Sequence, residues 1–91
     1  MKMARFDVLS TESAAIGGMV AGSDMYIRLG LMYSSGRSVP LDRVAAHMWF
    51  NIAALKGERD AARMRRELSE EMAPEEVAAA QRAAREWLTT H

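Results

Sequence analysis

The sequence predicts an all-α fold of four helices, with a less regular fifth segment at its start. Three observations predict it. Alanine, leucine, methionine, arginine and glutamate are abundant and β-branched residues are sparse, a balance that favours helix over strand. The only prolines are Pro40 and Pro74, so long stretches carry no helix breaker. Apolar residues recur at steps of three and four, and no stretch alternates long enough to read as a sheet.

Residues 1–22 are the least periodic. Ser10-Thr11-Glu12 can start a short helix through Ala14, Ala15, Ile16, Met19 and Val20, which Gly17-Gly18 weakens; residues 1–5 are expected to be disordered. A firmer helix runs from Asp24 to Ser35, capped by Ser23 or Asp24. Met25, Leu29, Met32 and Tyr33 share one face, and Ile27 and Leu31 point to nearly the opposite side. Gly30 costs about 1 kcal/mol against alanine in a helix interior, so its presence suggests that a second helix approaches closely there. Ser35-Gly36-Arg37-Ser38 reads as a turn ahead of Pro40.

The strongest helix starts near Asp42, a capping residue, and stops at Gly57, which can adopt the left-handed conformation of a helix end. Val44, Met48, Trp49, Ile52 and Ala53 form one apolar stripe, and Ala46, Phe50 and Ala54 a second. A helix apolar on two sides is buried between neighbours. The next helix, Glu58 to Met72, buries Ala61, Met64, Leu68 and Met72, and its charged residues read as a solvated face. The last helix begins at Pro74, at home in a first helical position, with Glu75 and Glu76 in the sign the helix dipole favours. Ala73 is a poor cap for it. Val77, Ala80, Ala84, Trp87 and Leu88 make its single apolar stripe.

Length and charge bound the function. At 91 residues the chain has room for one domain, 1–91. Twelve basic side chains balance twelve acidic ones, which argues against a nucleic-acid footprint and toward self-association. The absence of cysteine removes disulfides, thiolate catalysis and cysteine metal sites. No apolar run reaches the ~18 residues of a membrane span. Asp7 and Glu12 interrupt what a signal peptide would need as an apolar core, so the expected location is cytoplasmic.

Leu29-Gly30, Tyr33, Gly36, Val39, Asp42, Ala46, Trp49, Ala53-Ala54, Gly57 and Ala61 stand at the spacings of a Sel-like repeat. The chain resembles that family, which is related to tetratricopeptide repeats; Ala46 to Ala54 and Ala80 to Leu88 also resemble its short bacterial members. The resemblance implies antiparallel helix pairs stacked as a short α/α solenoid that acts as a protein-interaction scaffold. Residues 23–61 would be one clear repeat, 58–72 a partial second and 74–90 a capping helix. Two positions depart from the pattern: Ser38 replaces a second turn glycine, and Met25 replaces an alanine, which should widen the packing there.

The polar residues yield little chemistry. His47 and His91 are the only histidines and lack metal-binding spacing; His47 reads as a surface or interhelical hydrogen-bonding side chain with Asn51 at i+4 within reach, and His91, at the terminus, is expected to be mobile. Glu70-Glu71 and Glu75-Glu76 diverge around their helix axes, which excludes joint acid–base work. Arg63, Arg65 and Arg66 form a basic cluster that acidic neighbours cancel. No catalytic residue, cofactor or metal ligand is assigned. Repeat units bury their apolar faces on neighbours, so either residues 10–21 or another chain should cover Ile27 and Leu31, a burial worth roughly 3–6 kcal/mol. The expected contact surface is Ile27, Arg28, Leu31 and Ser34 with Tyr26 at its edge. It points to a non-catalytic interaction module with a protein partner of unknown identity. The alternative is a homodimeric structural unit, and a small enzyme or metal-binding protein using His47 is least favoured.

Overall fold

The computed structural model describes residues 23–91, and the expectations for residues 1–22 lie outside them. Four helices follow in order: α1 (Ser23–Ser35), α2 (Arg43–Leu55), α3 (Arg59–Ser69) and α4 (Pro74–Thr90). No strand occurs among the described residues. None of these helices is long and apolar enough to cross a membrane.

Local chemistry sets each boundary. The Gly36 N–H donates to Met32 C=O at 3.0 Å with Gly36 at φ +75°, and the Asp42 N–H returns to Tyr33 C=O at 3.0 Å. The turn therefore folds back on the helix it leaves. Asp42 Oδ1 accepts the Ala45 N–H at 3.0 Å and caps α2. At the far end, Glu58 N–H donates to Ala53 C=O and Gly57 N–H to Ala54 C=O, with Gly57 at φ +106°. Those two bonds are a Schellman motif. α3 stops at Ser69, short of Met72, and Glu70 to Met72 form the turn that follows. Ala73 offers no side chain to cap α4. Instead Glu76 Oε1 reaches back to accept the Ala73 N–H at 2.8 Å.

α2 is the hub: α1, α3 and α4 each pack on it, and the three touch one another little. Its two apolar stripes are the cause. Ala46, Phe50 and Leu68 form the centre of the core, with Tyr33, Met64 and Met72 packed around them. Ile52, Ala53, Ala61, Ala80 and Ala84 are buried with them. Gly30 lies directly against the Phe50 ring, where a Cβ would stand 2.5 Å from Cδ1 and closer still to Cε1. The expected close approach is therefore made by one glycine and one aromatic ring. Met25, placed by periodicity on the inner stripe, is exposed, so it cannot widen the packing of α1 on α2.

The turn between α1 and α2 holds a strained residue. Ser38 has φ +71°, a conformation that is unfavourable for any side chain with a Cβ. It is the position where the repeat that the sequence resembles would carry a glycine.

Candidate functional site

Two features of the surface combine exposed apolar area with convergent polar groups. The first is an open cleft of ≈ 260 Å³ between α1 and α3, with α2 beneath. Phe50, Met64 and Leu68 form its floor, Leu31 and Ser34 its α1 wall, and Glu67 and Glu71 its charged rim. Leu31 keeps 45% of its surface exposed. Glu67 meets Arg63 at 3.3 Å and Glu71 meets Arg43 at 3.4 Å, all four side chains largely in solvent.

The second is an aromatic cluster on the other flank of α1. Tyr26 stacks on Trp49 with ring centroids 5.9 Å apart and planes 2° from parallel. Trp87 of α4 meets both edge-on, at 5.4 Å from Tyr26 and 5.5 Å from Trp49. Such edge-to-face pairs add to the area they bury. His91, expected to be loose at the chain end, stacks on Trp87 at 4.4 Å.

The predicted contact surface is thus split. Leu31 and Ser34 line the cleft. Ser34 Oγ donates to Leu31 C=O at 3.2 Å. Tyr26 is not an exposed edge residue: it packs inward on Trp49 and Trp87. Ile27 is half-buried rather than outward-looking. Arg28 is exposed and pairs with Asp24 at 3.2 Å along its own helix. Periodicity on one helix could not tell these apart, because the sorting depends on where α3 and α4 dock.

His47 is an interhelical hydrogen-bonding residue rather than a surface one, the two places its sequence position left open. Its side chain is 1% exposed, and its partner is Ser69 of α3, not Asn51: Nε2 lies 2.9 Å from Ser69 Oγ. Ser69 Oγ is also within 2.9 Å of Arg65 C=O, to which its hydroxyl can donate. His47 Nδ1 is buried with no hydrogen-bond partner. Burial, and then the Arg65 cation, hold the imidazole below its ordinary pKa of 6.5. Asn51 instead accepts from Arg65 Nη1 at 2.7 Å. Arg65 therefore leaves the predicted basic cluster and points into the seam between α2 and α3.

The four residues form two rungs, His47–Ser69 and Asn51–Arg65, each one helical turn apart on both helices. Antiparallel helices meet in this register. A shift of one turn in either direction breaks both pairs and leaves at least two of the four groups without a rung partner, so the rungs favour one alignment. The sequence signal was the i, i+4 spacing of His47 with Asn51 and of Arg65 with Ser69; which helix faced which was not in it.

Among the described residues no group of three or more histidine, aspartate or glutamate side chains is placed to hold a metal ion. Compared with known proteins, the chain matches no protein family, no curated protein and no solved structure.

Proposed function

We propose that this chain is a non-catalytic protein-interaction module built on one Sel-like helix pair, with the cleft between α1 and α3 as its contact surface. The observation that carries the reading is Leu31. A leucine almost half exposed beside Met64, Leu68 and the Phe50 ring forms a preshaped apolar notch, and apolar anchors in such notches dominate the affinity of interfaces. The family resemblance supports it through residues whose places are physical: Gly30 under Phe50, Asp42 as cap, and Gly57 at a left-handed helix end. On this reading residues 23–61 are the repeat, 58–72 begin a second and 74–90 close the stack. His47 holds α3 in register, which suits a structural role rather than proton transfer.

The test compares affinity capture by the full chain with capture by Leu31→Glu, after circular dichroism shows both helical. Proteins retained by the wild type and lost by the variant are the expected result. Equal capture by both would sink the cleft as the contact surface.

A second reading, a homodimeric unit, has its own observation. Leu55 is 65% exposed and Leu41 50%, both away from the cleft, and the net charge is zero. Light scattering across concentrations separates the two: a strict monomer at high micromolar concentration removes the dimer.

A further inference from the structure

Among the described residues, His47 is the one buried polar side chain, and its surroundings disfavour a charge. A proton added at Nδ1 would meet no acceptor, because that atom is buried without a hydrogen-bond partner. From α3 the seam receives Ser69 and Arg65, and Arg65 is the only charged residue of α3 that is not exposed. Glu71, past the end of α3, is taken by Arg43 of α2 at 3.4 Å, both largely in solvent. Asp24 and Arg28 of α1 pair with each other in solvent. Glu75, Glu76, Arg82, Arg85 and Glu86 of α4 are all exposed. Burial, and then Arg65, keep the imidazole neutral against a pull from its own backbone.

α3 is also the helix most easily detached. It packs on α2 and makes little other contact. It buries only Ala61 and Leu68, and no side chain caps its start. Its neighbours close themselves without it. The end of α2 is sealed by Glu58 N–H donating to Ala53 C=O, and the start of α4 by Glu76 Oε1 accepting the Ala73 N–H at 2.8 Å. Releasing α3 undoes neither bond, and Tyr26, Trp49 and Trp87 still join α1, α2 and α4. Release does dismantle the cleft, since Met64, Glu67 and Leu68 belong to α3 and Glu71 to the turn after it.

We propose that the His47 seam is an acid-triggered latch: proton uptake by His47 frees α3 from α2 while α1, α2 and α4 stay together, and the cleft is lost. The inference rests on the cleft being the contact surface, and it adds regulation to it: a partner held at neutral pH is let go in acid. Once α3 has left, the imidazole is in water and takes its proton at the ordinary 6.5. Release is therefore favoured by up to about tenfold for each pH unit below that value, until the docked imidazole is itself protonated.

Amide hydrogen exchange of the full chain at pH 7.5 and 5.5, expressed as protection factors, tests this. The hydrogen-bonded amides of α3 should be less protected than those of α2 and α4 at both pH values, as sub-global opening requires. Between pH 7.5 and 5.5 they should lose several-fold to about tenfold in protection. His47→Gln should hold α3 protection level across that interval. Arg65→Gln, which removes the facing cation and keeps a donor for Asn51, should shrink the loss. Equal protection of α3, α2 and α4 would mean that the chain opens only as a whole, and overturns the proposal. A loss of the wild-type size in both variants overturns it as well. Exchange is read with no partner present, so equal capture by wild type and Leu31→Glu would sink the cleft as contact surface without altering the exchange result.

Discussion

Gly30→Ala sets two physical effects against each other with opposite signs. By helix propensity alone the alanine should stabilise α1 by about 0.8–1 kcal/mol. The tertiary contact opposes this. The new Cβ would stand 2.5 Å from Phe50 Cδ1 and closer to Cε1, whereas carbon atoms sit comfortably at about 3.5–4.0 Å. Roughly 1 Å must be found, and the Phe50 ring is buried in the core centre with Ala46 and Leu68. Overpacking of this kind costs about 1–3 kcal/mol. The net expectation is a loss of up to about 2 kcal/mol, and each kcal/mol moves Tm by roughly 4–8 °C in a domain of this size. Thermal melts of the four corners of a cycle with Phe50→Leu, run in sulfate so that every corner stays folded, isolate the contact. With the ring removed, Gly30→Ala should become neutral or stabilising, giving a coupling of about 1–3 kcal/mol. A single Gly30→Ala variant that melts higher than wild type would refute the reasoning, because propensity would then be acting without a neighbouring helix.

Three further outcomes are expected. Ser38→Gly should raise stability by roughly 0.5–1 kcal/mol, since Ser38 holds φ +71° and glycine adopts that conformation without strain; a lower urea midpoint would show that the serine is not strained. His47 should make stability pH-dependent. Its folded pKa lies below 6.5, so at pH above 6.5 both states are neutral and stability is full. As pH falls below 6.5 the unfolded chain takes a proton that the folded one refuses, and stability declines until the folded pKa is passed. Subtracting the urea-midpoint profile of His47→Gln isolates this decline, and parallel profiles for the two proteins would contradict it. Trp49→Ala removes the ring on which Tyr26 stacks and Trp87 abuts. Losses of large aromatic side chains run about 3–5 kcal/mol, enough to abolish cooperative melting here, and a Tm within a few degrees of wild type would show that the cluster contributes little.

The sequence by itself determined the helices and most of their ends. Asp42 and Gly57 act through backbone groups a few residues away, so the information needed for them is local. The same locality made Gly30 legible as a contact point and Ser38 as an odd turn residue. Tertiary structure alone decided which face of α1 is covered. Tyr26 and Leu31 are both apolar residues off the predicted inner stripe, yet α4 supplies Trp87 to one, while the other lines the open cleft facing α3. It also decided that His47 pairs with Ser69, 22 residues away, rather than with Asn51 one turn along. Spacing on a single helix fixes direction about that helix's axis. Partners on another helix follow only from how the helices dock, which is set by the summed packing of Phe50, Leu68 and their neighbours and not by any one segment.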